Sequence, residues 1–312
     1  MNEIVSVVIP TRNRPTLVQR AVKSALAQTL QQIEVIVVID GTDELTYNTL
    51  TQINDERLKV IASPINQGSC AARDLGVSNA LSDWIAFLDD DDEWMPQKLE
   101  LQLAAAKASK YKYPIVSSCL IAQTSHGNLV YPRRVPGAEP LSEYLFVRNT
   151  LFQGEGLLQT STLFTPKELL LKLPFSVCKN IHDDWEWLLR AITFESVGIE
   201  FVEQTLAIWH LEDATPSLSR NYNWQLSLSW LQTNRNLFTP RAYSSFILAE
   251  VSARAALNRD WQAFILLLIE AVRFGKPKPR DICLCFGMWL LSPKIRSFLR
   301  NLLTKRQVLS PA

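Results

Sequence analysis

Apolar and polar positions follow two distinct rhythms through the first hundred residues. Residues 4–9 form a short β-branched run that stops at Pro10; residues 34–39, 58–62 and 84–88 form three more. Short runs this rich in apolar residues predict buried strands. Between them the period changes. Residues 16–29 place Leu17, Val18, Ala21, Val22, Ala25 and Leu26 at helical intervals, and residues 43–53 and 68–80 also have helical patterns. Strands alternating with helices predict a mostly parallel central sheet flanked by helices. In such sheets ligands sit at the carboxyl ends of the strands. One rim therefore collects Pro10, Thr11, Arg12 and Asn13, then Asp40 to residue 43, then the run Asp89, Asp90, Asp91, Asp92.

The middle of the chain, residues 111–210, is less regular. Residues 115–121 and 162–165 read as strands, 131–140 as a proline-rich loop and 183–193 as a helix. From residue 222 onward the pattern is helical, apart from a loop at 275–279. The resulting division is an α/β domain over 1–220 and a helical C-terminal region over 221–312, reasonable for 312 residues at about 150 per domain.

Composition changes this picture in three places. Apolar residues make up 47% of the chain, enough for a sizeable core, and a net charge of +1 argues against a nucleic-acid partner. The charge is uneven: residues 83–93 are acidic and 273–306 basic. The five cysteines are scattered without a CxxC pair, which suits a reduced, cytoplasmic setting. No signal peptide is expected, and no apolar run reaches the ~18 residues that span a bilayer.

Four successive carboxylates repel one another unless something positive joins them. A divalent cation is the natural partner, because Mg²⁺ takes carboxylate and phosphate oxygens together. The plainer alternative is a solvated acidic turn with a helix cap. Residues 10–15 lack the glycines of a dinucleotide or P-loop motif. They offer polar side chains to a nucleotide edge, or simply a strand-to-helix turn. Asp40 ends a strand and can accept from a base or ribose, or cap the next helix. Arg73 lies beside Asp74 and can pair with it or with a phosphate. Asp183 and Asp184 open a helix, where a carboxylate is either a cap or a general base. His210 follows a strand pattern and is either structural or a metal ligand.

Taken together, these segments resemble glycosyltransferase family 2, the large inverting family with the GT-A fold. The resemblance runs through residues 5–14, 21–29 and 34–43, and is strongest at 66–76, Asn-Gln-Gly-Ser-Cys-Ala-Ala-Arg-Asp-Leu-Gly. It culminates in Trp84-Ile85-Ala86-Phe87-Leu88 followed by the four aspartates, and continues at Asp183-Asp184-Trp185-Glu186 with Arg190. It covers roughly the first 220 residues.

The resemblance implies a nucleotide-diphosphate-sugar donor, UDP- or dTDP-linked, a hydroxyl acceptor on a glycan or lipid carrier, and Mg²⁺ or Mn²⁺. Surface polysaccharide or glycolipid synthesis is the implied setting. By position, Thr11, Arg12 and Asp40 would line the base and ribose pocket, and Arg73 would stand near the base or diphosphate. Asp89 and Asp90 would contact the donor, Asp91 would bind the metal and Asp184 would deprotonate the acceptor. The chain departs from the family pattern at Ile39, where a second carboxylate is usual, and at Asp183, usually Glu. The first departure favours a non-catalytic nucleotide-sugar or polysaccharide-binding module; the second leaves the base open between Asp183 and Asp184. The basic tail reads as a helical cap with a solvated face, or as a peripheral contact with the inner membrane.

Overall fold

A computed structural model describes residues 4–124, 127–150, 155–175, 182–211, 223–257, 259–291 and 295. The chain forms two compact units, Met1–Gly137 with Gly156–Pro216, and Ala138–Glu155 with Ser217–Ala312.

In chain order the first elements are β1 (Val5–Thr11), α1 (Pro15–Leu26), β2 (Ile33–Asp40), α2 (Glu44–Thr51), β3 (Leu58–Ser63), α3 (Ser69–Asn79) and β4 (Trp84–Phe87). These are the expected strands and helices, shifted by a few residues at their ends. Every residue of β1 is buried, as its largely apolar run predicts. Helix α1 starts with Pro15 in its first turn, where a missing N–H costs nothing, and buries Val18, Ala21, Val22 and Ala25. Asp43 caps α2 by accepting from the Thr46 amide at 3.1 Å. Gly76 lets α3 lie close on the sheet: a Cβ there would stand 2.4 Å from Val8 Cγ1.

Then come β5 (Asp92–Trp94), α4 (Lys98–Ala108), β6 (Tyr113–Thr124), β7 (Gly127–Tyr131), α5 (Leu141–Phe146), β8 (Phe164–Pro166), α6 (Lys167–Lys172), α7 (Asp183–Ala191) and β9 (Val197–His210). Apart from α5 these complete the first unit. The sheet order is β3-β2-β1-β4-β8-β6-β9-β5, with β7 beside β6. Strands β3, β2, β1 and β4 are parallel, with Thr11 level with Ile39 and Val5 level with Trp84. The second half is mixed: β8 runs antiparallel to β4 and β6, β9 parallel to β6, and β5 antiparallel to β9. Because β1, β2 and β4 all point the same way, their carboxyl ends form the expected rim.

The second unit is helical: α5, α8 (Trp224–Thr233), α9 (Pro240–Phe246), α10 (Ser252–Leu257), α11 (Trp261–Phe274) and α12 (Pro279–Leu290). One π turn, Ile247–Val251, joins α9 to α10. Its boundary differs from the expected break at residue 220, because residues 138–155 pack here. Phe146 of α5 stacks on Phe238 at 5.3 Å and meets Phe246 edge-on at 5.0 Å, and Arg148 pairs with Glu250 at 2.6 Å. Those partners lie about a hundred residues away, so the local pattern around residue 140 does not announce them.

Candidate active site

The rim is built from three strand ends and one helix start. At the end of β1, Pro10 and Thr11 are buried, while Arg12 and Asn13 are exposed. The Thr11 hydroxyl donates to Asp90 Oδ2 at 2.8 Å. Asn13 adopts a left-handed φ of 55° and its amide donates to Asp43 at 2.6 Å. Arg14, which precedes α1, reaches two aspartates with one nitrogen: Nη1 lies 2.9 Å from Asp90 Oδ1 and 3.1 Å from Asp91 Oδ2.

Asp40 closes β2. Its two oxygens each accept a backbone amide, from Gln67 and Gly68, both at 2.8 Å. The carboxylate thereby braces the loop that leads into α3, and Arg73 is the payload of that helix. Arg73 does not pair with its neighbour Asp74. Its Nη2 donates to Asp89 Oδ1 at 2.7 Å, and its guanidinium lies 5.6 Å from the Phe175 ring centre. Asp74 instead accepts the Phe175 amide at 3.1 Å.

The four aspartates after β4 thus have four different environments. Asp89 is half-buried against Arg73. Asp90 is buried; burial pushes its carboxyl up to about 6, with Asp91 adding to the rise and Arg14 and Thr11 opposing it. Asp91 is 26% exposed. Asp92 begins β5 and is fully enclosed. Its Oδ2 accepts from Ser161 Oγ at 2.6 Å and Gln159 Nε2 at 2.7 Å, and its Oδ1 has no partner. Burial, then the charges of Asp89 and Asp91, push its carboxyl well above the usual range. Ser161 also accepts the Asp89 amide at 3.0 Å, so one hydroxyl ties both ends of the acidic turn.

Helix α7 brings the second acidic pair. Asp184 Oδ2 lies 3.3 Å from Thr160 Oγ1, and its Oδ1 accepts the Trp185 amide at 2.8 Å. Burial raises its pKa, and the charge of Asp89 adds to this, while Arg73 opposes. Asp183 is pushed to about 6 by burial, relieved by a hydrogen bond from Cys70 and by Arg73. Arg73 therefore pairs with Asp89 and acts electrostatically on both α7 carboxylates.

His210 ends β9, beside β5, and its Nε2 lies 2.8 Å from Glu93 Oε1. Glu93 in turn faces Arg20 at 3.4 Å, and Arg20 donates to the Asp91 carbonyl at 2.6 Å. His210 is thus near the acidic turn but engaged with Glu93, a partner a metal would have to displace. Among the described residues no three His, Cys, Asp or Glu side chains converge as a metal site. The oxygens present still suit Mg²⁺ or Mn²⁺ held jointly with a ligand, since such ions commonly take one or two carboxylates and complete their shell with phosphate and water. The half-exposed Asp91 and Asp89 are of that kind.

Sequence reasoning missed Arg14, Gln159, Thr160 and Ser161. Arg14 carried a signal, since it adjoins Pro15 on the rim. The short 159–162 turn carried none, because its importance lies in contacts with residues 67–72 positions earlier and 24 later.

A mixed α/β sheet whose parallel strand ends carry buried acids, two arginines and a helix-borne carboxylate has the architecture of the GT-A fold. Comparison with known proteins places it more closely. Residues 6–144, a little under half of the chain, match the family described as Glycosyl transferase family 2. The putative colanic acid biosynthesis glycosyl transferase WcaA of Escherichia coli (strain K12) is 29% identical over 284 residues, covering 88% of this chain and 96% of that protein. The UDP-Glc:alpha-D-GlcNAc-diphosphoundecaprenol beta-1,3-glucosyltransferase WfaP of Escherichia coli is 32% identical over 108 residues, covering 35% of this chain and 43% of that protein. The crystal structure of S. aureus TarS 1-349 in complex with UDP-GlcNAc superposes with a TM-score of 0.51 at 18% identity, covering 91% of this chain and 78% of that one, a likeness of fold.

Proposed function

We propose that the chain is an inverting glycosyltransferase that moves a sugar from a UDP- or dTDP-sugar to a hydroxyl of a lipid-linked glycan in surface polysaccharide synthesis. The observation that carries this is the pairing of Arg73 with Asp89 at the rim, with the buried Asp184 within its electrostatic reach. It puts a cation for the diphosphate within reach of both a donor-side and an acceptor-side carboxylate. By their names, WcaA is a putative glycosyl transferase of colanic acid biosynthesis, and WfaP transfers glucose from UDP-Glc to alpha-D-GlcNAc-diphosphoundecaprenol.

In this reading, Thr11, Arg12 and Asp40 define the base and ribose side, with Asp40 acting chiefly through the loop it braces. Asp89 and Asp90 meet the donor, and Arg73 and Arg14 supply positive charge as the diphosphate leaves. Asp91, with the donor's phosphates, would hold Mg²⁺ or Mn²⁺, which supplies Lewis-acid stabilisation of the leaving diphosphate. His210 stays with Glu93 and positions the adjacent strand. Asp184 is the base: its Oδ2 takes the acceptor hydroxyl proton as that oxygen bonds to the anomeric carbon. The bond to the diphosphate breaks, its electron pair leaves with the nucleotide, and the attack from the opposite face inverts the centre. A carboxylate with a raised pKa is the better base for this step. Asp183, which accepts a hydrogen bond from Cys70, is the weaker candidate.

The test is diphosphate release from a panel of nucleotide sugars with a lipid-diphosphate acceptor, with Mn²⁺ and with excess chelator. Asp184→Asn is expected to keep UDP binding and lose transfer; unchanged transfer would remove it as the base. Undiminished activity in chelator, or in Asp91→Ala, would remove the metal from the reading.

A further inference from the structure

Helix α11 has apolar side chains on both faces. Ala263, Leu267 and Ala271 are buried against the helical unit, and Glu270 on that side accepts from the Tyr243 hydroxyl at 2.8 Å. The opposite face exposes Trp261, Ile265, Leu266, Ile269 and Val272, from 47% for Leu266 to 61% for Ile265. The stripe continues onto α12 through aromatic contacts: Trp261 on Trp289 at 5.2 Å, and Phe264 on Phe286 at 5.2 Å, with Phe286 and Leu290 also exposed. A surface helix normally carries polar residues on its outer face, and a contiguous apolar patch of this kind marks an interaction site.

Charge decides what covers it. From residue 273 to residue 306 the chain carries nine lysines and arginines against one acid, Asp281, and Asp281 is already paired with Arg241. Arg273, Lys276 and Lys278 are exposed where the stripe ends. A second copy of this chain, or the chain's own residues 296–312, would bring more positive charge to the same place. An anionic surface with an apolar interior meets both demands.

We propose that the outer face of α11, extended by α12, docks on an anionic lipid bilayer. The apolar side chains enter the acyl boundary, Trp261 sits at the headgroup level and the basic residues face the lipid phosphates. No helix of the described residues is long and apolar enough to cross a membrane, so this contact lies along the surface. The proposal does not depend on the transfer reaction, and its test uses no sugar donor.

The full-length chain is mixed with vesicles of equal parts phosphatidylglycerol and phosphatidylcholine, and with vesicles of phosphatidylcholine alone, and sedimented. It is expected to sediment with the anionic vesicles and much less with the neutral ones. The double substitution Ile265→Glu, Ile269→Glu, both at exposed positions, is expected to lower the partition coefficient about ten-fold or more. The unfolding midpoint should stay unchanged. Val272→Glu repeats the test with a single exposed residue. Absence of binding to anionic vesicles, or equal binding by all three proteins, would overturn the proposal. So would a wild-type dimer that the double substitution dissociates while vesicle binding is absent, since the face would then belong to a second copy.

Discussion

Ser161→Ala tests whether the acidic turn is held from below by the 159–162 turn. Ser161 is fully buried, so water cannot readily replace its hydroxyl. Three bonds are lost: the one donated to Asp92 at 2.6 Å, the one accepted from the Asp89 amide at 3.0 Å and a long one accepted from Gln159 Nε2 at 3.4 Å. The first is worth about 1–2 kcal/mol net, and leaving a backbone amide without an acceptor costs about 1–3 kcal/mol. Gln159 still reaches Asp92 at 2.7 Å and recovers part of this. The expected loss is about 2–3 kcal/mol, a large share of a typical total of about 5–15 kcal/mol. Because Asp89 and Asp90 follow directly from the turn, UDP affinity should fall about ten-fold. Urea denaturation and UDP calorimetry measure the two effects, with Ser78→Ala as control, since Ser78 only bonds the Asp74 carbonyl on an exposed helix turn. A stability loss below about 0.5 kcal/mol together with unchanged UDP affinity would refute the clamp.

Three further outcomes follow from the same geometry. Gly76→Ala should destabilise by about 1–2 kcal/mol despite its better helix propensity, because its Cβ would sit 2.4 Å from Val8 Cγ1 in a packed layer; chemical denaturation reads this, and a stabilised variant would contradict the close approach of α3. Asp74 is pushed from its ordinary 3.8 to about 6, chiefly by burial. Its ionised form therefore opposes folding, and this group's contribution falls as pH rises from about 4 to 6. Asp74→Asn keeps an acceptor for the Phe175 amide and should stabilise the protein at pH 7 by about 1–2 kcal/mol after solvent screening, with no gain at pH 4. Equal gains at both pH values would exclude the charge as the cause. Thr160→Val removes a hydrogen bond that favours the charged form of Asp184, so the acid limb of the kcat profile should move to higher pH, whereas an unmoved limb would separate Thr160 from the base.

The parallel half of the fold was legible because a strand covered on both faces is mostly apolar, and β1, β2 and β4 are, apart from Ser6, Thr11, Glu34 and Asp40. Elements whose pattern is set by distant partners were not. Helix α4 buries Lys98 and Gln102 along with Leu99 and Leu103, which breaks the apolar stripe. Lys98 tolerates this by donating to Gln102 at 2.5 Å and lying 4.0 Å from the Trp94 ring centre. Strand β5 is Asp-Glu-Trp, a poor strand sequence that pairs because β9 runs beside it. The fourteen residues of β9 show apolar continuity only near Leu206, since its middle carries exposed Glu203 and Gln204.

The sequence grouped the rim's acids with Arg73 but did not announce their pairing. Adjacent residues suggested Arg73 with Asp74; helix geometry instead aims Arg73 at Asp89 and sends Asp74 to the Phe175 backbone. The same logic explains how four consecutive aspartates coexist. Arg73 offsets Asp89, Arg14 is shared by Asp90 and Asp91, and Asp92 is enclosed where burial and its neighbours' charges favour the protonated form. The protein therefore compensates the run largely from within, and the sites for a ligand's charge are the half-exposed oxygens of Asp89 and Asp91. A donor diphosphate arriving there would compete with those carboxylates for Arg73 and Arg14. Releasing the carboxylates as the arginines turn to phosphate is what would free them for a cation, so donor and metal should each strengthen the other's binding. UDP titrated with and without Mn²⁺ should show that coupling, lost in Arg14→Met; identical UDP affinities in both conditions would mean the acidic turn is compensated without reference to a metal.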